Sequence, residues 1–403
     1  MSKNSTAFLA LLGIVLLALN MRAVLGNISP IVVQISRDIP LSSAALAILG
    51  GLPPVVFAVS GLLVPLLSRV LRIEALILFS LGLIVLGNVG RGLAADLGSL
   101  MVATGVVLAG IGVANVLLPA LVKKYFPSHI VLVTAFSMST MAIGTSAPAI
   151  SSHSLTEALG WQFALGVWAA FAAVALVPWI LLAARARRDG SATIVHLAGL
   201  NRPRVSGNVA RSRTAWALLL VFALAQVNIY AMFAWLPTVL VDTAGMPWAT
   251  TGVMLGVYAL MGVVASVLVA TFARRMRNPS PLMYVGIACF SGGYGGLLLA
   301  PTAAPWLWVA LAGVGPTVMH ICLMLVGLRS RTHDGAVALS SFMQGFGYAA
   351  GAAGPLVMGL LHGLTDGWAL PLVLGVCTAL VMVLGVAALR KDRFVEDEWA
   401  RRN

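Results

Sequence analysis

The feature that most limits this chain is a succession of apolar runs with almost no charge inside them. Each is close to or longer than the roughly 20 residues that a helix needs to cross a bilayer. Polar clusters punctuate the runs into twelve segments, at about 6–36, 42–68, 73–92, 97–123, 129–154, 161–184, 214–241, 248–273, 281–301, 305–328, 336–363 and 369–389. With short loops these use most of the 403 residues, and they predict an all-α membrane protein of twelve transmembrane helices. Charged residues make up only 9% of the chain, against about 25% in a soluble domain, which excludes a water-soluble enzyme. The first run, at 7–19, is not expected to be a cleaved leader. Asn20 and Arg22 stand where a cleavage region needs small residues.

The formal net charge of +13 points to nucleic acid only where a soluble basic face exists, and none is expected here. Sorting the loops gives the simpler cause. One set holds Lys3, Arg69, Arg72, Lys123, Lys124, the seven Arg of 185–213, Arg274 to Arg277, Arg329, Arg331 and the tail from Arg390. The alternate set holds Asp38, Asp96, Glu157, Asp242 and Asp366, with Arg37 and Arg91 as its basic members. The alternation follows the twelve spans, and the bias of Lys and Arg towards the cytoplasm then predicts that both termini are cytoplasmic. Residues 185–213 form the one long polar connection, expected to be a linker that is mobile or lies on anionic headgroups. The expected organisation is a six-helix bundle over 1–184, this linker, a second bundle over 214–390 and a cytoplasmic tail over 391–403. Cys289, Cys322 and Cys377 all lie in apolar segments and read as small packed residues with no disulfide framework.

A shift of 207 residues maps Pro30 onto Pro237, Gly144 onto Gly351, Pro148 onto Pro355, Gly160-Trp161 onto Gly367-Trp368, and Leu165 onto Leu372. These matches pair segments 1 with 7, 5 with 11 and 6 with 12. They describe parallel repeats, the arrangement of secondary transporters with a site between two halves. Gly144 to Pro148 and Gly351 to Pro355 are expected to bend segments 5 and 11 or pack them closely. Trp235-Leu236-Pro237 is expected to kink segment 7 or to anchor it at an interface.

A charge in hydrocarbon costs at least about 2.5–3.5 kcal/mol on insertion scales, so it normally faces protein or water. Arg22 is the one Lys, Arg, Asp or Glu expected well inside a span, with no intramembrane acid to neutralise it. Such a guanidinium either snorkels or braces helices, or it attracts an anionic or strongly dipolar ligand. Gln226 and Tyr230 share a face of segment 7; Ser341, Gln344 and Tyr348 form a stripe on segment 11. Asn115 in segment 4 and His320 in segment 10 complete a sparse polar set that can orient a small ligand or join helices. Asn20 and Asn27 lie on a different face from Arg22, and Asn228 points away from Gln226. There is no metal-ligand spacing around His320, no intramembrane carboxylate pair and no P-loop, so neither catalysis nor ATP-driven transport is expected, and no cofactor.

Four strings carry a family resemblance. They are Leu19-Asn20-Met21-Arg22; Gly112-Val113-Ala114-Asn115-Val116-Leu117-Leu118-Pro119-Ala120-Leu121-Val122-Lys123; Ala234-Trp235-Leu236-Pro237; and Gln344-Gly345-Phe346-Gly347-Tyr348 running on to Gly354-Pro355. With these the chain resembles the major facilitator superfamily, and within it the cyanate/2-nitroimidazole transporter branch. The resemblance implies two pseudo-symmetric six-helix bundles and alternating access around a midplane site lined mainly by helices 1, 4, 7 and 10. Arg22, Asn115, Gln344 and Tyr348 are the residues that match the strings. The loop Ser68-Arg69-Val70-Leu71-Arg72-Ile73-Glu74 departs from the wider pattern, because it keeps basic residues but lacks the Gly and Asp of the usual gating motif.

The expected activity is secondary transport of a small anionic or strongly dipolar solute across the cytoplasmic membrane, anchored by Arg22. Asn115, Gln226, Tyr230, His320, Gln344 and Tyr348 are the remaining candidate substrate-binding residues, and His320 is also the candidate proton carrier because its ordinary pKa lies near neutrality. The alternative is proton-coupled efflux of neutral or cationic aromatic compounds, stacked on Tyr230, Phe233, Trp235 and Tyr348. The expected partners are a small-molecule substrate, protons and membrane lipid, with no nucleic acid and a monomeric carrier.

Overall fold

In hydrocarbon every backbone N–H and C=O must find its partner within the protein, and a continuous helix does this locally. The computed structural model describes residues 3–67, 71–188, 209–272, 276 and 278–400, and no strand occurs among them. The expected linker therefore lies largely outside the described residues, as do Arg69, Arg274, Arg275 and Arg277.

The first segment comprises α1 (Lys3–Asn20), α2 (Ala23–Asn27), a 3-10 turn at Ser29–Ile31 and α3 (Val32–Asp38). Then follow α4 (Ser43–Leu67), α5 (Ile73–Gly92), α6 (Leu97–Tyr125), α7 (Ile130–Leu159), and a sixth segment split into α8 (Trp161–Gly166) and α9 (Trp168–Arg188). The seventh to ninth are α10 (Arg213–Ala244), α11 (Trp248–Thr271) and α12 (Ser280–Leu299). The tenth is split into α13 (Pro305–Val314) and α14 (Thr317–Leu328), and the eleventh into α15 (His333–Gly351) and α16 (Ala353–Thr365). The last span is α17 (Ala369–Leu389), and a short α18 (Val395–Ala400) ends the described chain. All twelve expected spans are present. Nine are apolar and long enough to cross a membrane by length and composition among the described residues. Phe8, Leu86, Val102 and Leu384 are each about two-thirds exposed, a surface that lipid solvates and water does not.

The chain divides into two compact units, one of Met1–Leu41 with Val56–Ala198 and one of Ser42–Val55 with Gly199–Asn403. The 207-residue repeat is visible inside each. In unit 1 the Trp161 indole donates to Asp38 Oδ2 at 2.7 Å; in unit 2 the Trp368 indole donates to Asp242 Oδ2 at 2.8 Å. Each bond ties the start of a bundle's sixth span to the far end of its first. Asn20 Nδ2 donates to the carbonyls of Leu16 and Phe171, while Asn228 Nδ2 donates to the Leu224 carbonyl and to Thr378 Oγ1. Phe171 and Thr378 are 207 apart. Both asparagines are therefore spent on pinning the first helix to the sixth.

Glycine supplies the other pin. A Cβ at Gly144 would lie 2.2 Å from the Leu19 carbonyl oxygen, and one at Gly354 would lie 2.2 Å from that of Val227. Segment 5 thus crosses segment 1, and segment 11 crosses segment 7, at backbone contact distance. Only segment 11 breaks there, at Gly351–Ala352; α7 runs unbroken through Pro148. Trp235 is not an exposed interfacial anchor. It is buried in an unbroken α10, where its indole donates to the Pro355 carbonyl at 2.9 Å and its ring lies 5.5 Å from Trp368.

The end of each unit that carries the basic loops is closed differently. In unit 1, buried Glu74 accepts from Lys124 Nζ and from the Tyr125 hydroxyl, joining the start of α5 to the end of α6. In unit 2 the tail does the joining. Arg329 pairs with Asp392 at 2.6 Å, and Arg331 with Asp397 at 2.9 Å. Glu396 Oε1 accepts from the N–H groups of Arg331 and Thr332 and from the Thr332 hydroxyl beside the start of α15. Glu398 Oε2 accepts from the Thr214 N–H at 3.0 Å and from the Ser212 hydroxyl at 2.5 Å, at the start of α10. Orphan N–H groups and a positive dipole end make a helix start a natural seat for carboxylate. Burial raises the Glu396 pKa, but these hydrogen bonds outweigh it and hold the carboxyl below its ordinary range.

Candidate functional site

Arg22 stands at a break in the first span. The α1 ladder ends at Asn20, Met21 N–H shares the carbonyls of Leu17 and Ala18, and Arg22 adopts φ −128° and ψ −3° before α2 begins. Its side chain is partly exposed. Among the described residues its guanidinium makes no hydrogen bond or ion pair. Asn115, partly exposed on α6, likewise makes no side-chain hydrogen bond among them. These are the two candidates that unit 1 contributes.

Unit 2 holds the other five. Gln226 and Tyr230, 2% and 1% exposed, lie side by side on α10 against the backbone of α15. A Cβ at Gly351 would stand 3.0 Å from Gln226 Cβ and 3.2 Å from Tyr230 Cδ2. Gln226 Oε1 is buried with no hydrogen-bond partner among the described residues. Tyr348 meets the same α10 face one turn earlier, its ring edge-on to Phe222 at 5.5 Å. Gln344 Nε2 donates to Ser340 Oγ at 2.6 Å on its own helix. His320 Nδ1 lies 2.9 Å from the Pro316 carbonyl oxygen. A carbonyl only accepts, so Nδ1 is the donor in this contact. Gln226, Tyr230 and Tyr348 are thus brought together on the α10–α15 contact, while Gln344 and His320 bond locally.

The rings proposed for stacking are largely committed to protein. Trp235 gives its N–H to Pro355, and Phe233 lies edge-on to Tyr258 at 5.2 Å. His153 and His362 serve structure near the ends of their spans: His153 bridges Gln34 and Glu157, and His362 stacks on Trp368 at 4.1 Å. Among the described residues no group of His, Cys, Asp or Glu could hold a metal ion.

Arg22 is not the only charge drawn inside a span. Arg91, counted above as a loop residue, is fully buried in the last turn of α5, and Glu74 is buried in the first turn of the same helix. Their position near helix ends conceals them in sequence, because an end residue can turn outwards or inwards and packing decides which. The one legible signal was Asn88, three residues before Arg91 and so on the same face.

The family model described as the Major Facilitator Superfamily matches residues 10–355. The chain is 27% identical over 406 residues to the uncharacterized transporter YycB of Bacillus subtilis (strain 168), covering 100% of this chain and 98% of that one. It is 27% identical over 391 residues to the 2-nitroimidazole transporter of Escherichia coli (strain K12), covering 96% of each. The cyanate transport protein CynX of the same strain is 26% identical over 360 residues, covering 89% of this chain and 91% of that one. Among solved structures, the proton:xylose symporter XylE bound to 6-bromo-6-deoxy-D-glucose superposes with a TM-score of 0.68 over 100% of both chains at 14% identity. A bacterial homolog of the human lysosomal transporter Spinster, inward-facing and unoccupied, gives 0.68 at 14% identity, covering 99% of this chain and 98% of that one. At that identity the structural likeness carries the fold alone. The chain belongs to the Major Facilitator Superfamily: it is a multi-pass membrane transporter that moves a small-molecule substrate by alternating access, and not an enzyme.

Proposed function

We propose that this transporter carries a small anionic or strongly dipolar solute, cyanate-like or bearing a nitro or carboxylate group, with Arg22 as its electrostatic anchor. The observation that carries this reading is the guanidinium at the α1–α2 break, which makes no hydrogen bond or ion pair among the described residues. The asparagines on either side are spoken for: Asn20 by the Leu16 and Phe171 carbonyls, Asn27 by Arg91. A permanent cation kept in a span without a partner costs stability, which a ligand of opposite charge returns on binding. The names of two relatives, one for cyanate and one for 2-nitroimidazole, support a small solute rich in negative charge or dipole. Asn115, Gln226, Tyr230, Gln344 and Tyr348 then orient the solute by hydrogen bonds and ring contact.

The protein sits in the cytoplasmic membrane as a monomer, with the Lys- and Arg-rich ends and both termini in the cytoplasm. Its six-helix bundles span 1–184 and 214–390, joined by the 185–213 linker and followed by the 391–403 tail. One charge crossing the membrane is worth about 2.3 kcal/mol per 100 mV, so accumulation of a monovalent anion needs a co-transported proton. His320 Nε2 is the group to carry it.

The nitroimidazole relative also favours a second reading, proton-coupled efflux of neutral or cationic aromatic compounds. A thermal-shift screen of the purified protein across cyanate, nitrate, small carboxylates and nitroimidazoles separates the two. Anions should stabilise the wild type and leave Arg22→Gln unmoved. Stabilisation by uncharged or cationic aromatics alone, equal in Arg22→Gln, would favour efflux and remove Arg22 from the role.

A further inference from the structure

The last turn of α5 holds a second guanidinium, in quite different surroundings. Arg91 and Asn27 are both 0% exposed. Arg91 Nη2 donates to Asn27 Oδ1 at 2.9 Å, and Nη1 reaches Asn88 Oδ1 at 3.4 Å. Arg91 forms no ion pair among the described residues, and its Nε has no hydrogen-bond partner among them. Asn27 Nδ2 is in the same condition, whereas Asn88 Nδ2 is satisfied by the Ile84 carbonyl at 2.9 Å. Rotating the Asn27 amide offers no escape, since it would set an N–H against the Arg91 N–H.

What remains around this pair is therefore unbalanced in one direction. Both amide oxygens are already used, and the uncommitted buried atoms, Arg91 Nε and Asn27 Nδ2, are all donors. Ile31 lies one turn beyond Asn27 and Ala94 one turn beyond Arg91. Both belong to a buried apolar cluster with Ile35, Leu100, Trp161 and Leu165. A guanidinium cannot relieve its burial by losing its proton. Buried charge with only neutral partners is costly, and a hydrogen-bond acceptor that carries negative charge would complement this site.

We propose that Arg91 Nε and Asn27 Nδ2 bind a small monovalent anion, a halide held from the medium. The site stands on its own geometry and does not depend on the role given to Arg22.

The test uses the purified full-length protein in a gluconate buffer at constant ionic strength, titrated separately with chloride and bromide while the thermal midpoint is followed. Wild type and Arg22→Gln should both show a saturable rise, and in Arg91→Gln the half-saturating concentration should increase about tenfold or more. Asn27→Asp supplies a built-in carboxylate to Arg91, so its midpoint should be raised from the outset and stay flat with both halides. This variant decides the matter even if Arg91→Gln fails to fold. A wild-type midpoint indifferent to both halides, or a halide rise that persists unchanged in Asn27→Asp, would overturn the site and show that water or nothing completes it. Neither result would bear on Arg22.

Discussion

The first span of unit 1 and the first span of unit 2 are repeats of one design, yet one is broken and the other is not. Each is pinned to its sixth span by a buried asparagine, locked at its far end by a Trp–Asp bond, and crossed at backbone distance by a glycine of the fifth. The helix α10 passes through all three pins as 32 continuous residues. In unit 1 the helix stops at Asn20, leaves Met21 and Arg22 between the two helices, and starts again at Ala23. Since the pins are shared, they do not cause the break. What differs is the residue: the pins pair Asn20 with Asn228 and Leu19 with Val227, which puts Tyr230, a buried aromatic, where unit 1 has Arg22. The scaffold is thus duplicated, and the local departure from it marks where the two halves divide their labour.

Altering the glycine crossings should have the largest effect. Gly144→Val and Gly354→Val each force a side chain into a carbonyl oxygen, and each should cost about 3 kcal/mol or more, enough to abolish folded yield in detergent. If one unit tolerates its substitution, the crossings are not equivalent. Next in size, Trp161→Phe and Trp368→Phe remove an indole N–H from a carboxylate and should each lower stability by about 1.5–3 kcal/mol, measured as thermal midpoints without ligand. The two losses should be alike, and a loss confined to one unit would break the correspondence at its clearest point.

The smallest effect lies in the tail, which sharpens the contrast between the units because only unit 2 is closed by it. The Glu396 carboxyl is held below its ordinary range. Its contribution is therefore complete above the unfolded-state carboxylate pKa and is lost as pH falls through the lower folded value. Amide exchange at 395–400 should be slow at neutral pH and accelerate on acidification, and Glu396→Gln should exchange fast throughout. Protection that does not change with pH would mean that the carboxylate does not hold the tail.

Much of this was legible in the sequence for identifiable reasons. Span number follows from apolar length, and the repeat follows from a constant offset that includes the uncommon Gly-Trp pair. That pair turned out to mark the Trp–Asp lock. The break at Arg22 was not legible, since nothing in Leu19-Asn20-Met21-Arg22 disfavours helix strongly. Counting Lys and Arg makes the tail basic, although Glu396 and Glu398 do the structural bonding there. Sorting charges by loop sets Arg91, at the end of the 73–92 segment, among the loop residues, although tertiary packing turns it inwards. Trp235 reads as an interfacial anchor only until Pro355, 120 residues away in sequence, comes within reach of its indole.

The most direct test is to measure, in one thermal-shift experiment, both the ligand-free midpoint and the anion-induced rise for Arg22→Leu beside the wild type. An unpartnered guanidinium kept for a ligand predicts opposite signs: a higher ligand-free midpoint, from removing a charge that costs about 2.5–3.5 kcal/mol in a span, and no remaining rise with substrate anion. A lower ligand-free midpoint with the anion response intact would mean that Arg22 braces the helices, and the anion-carrier reading would fall.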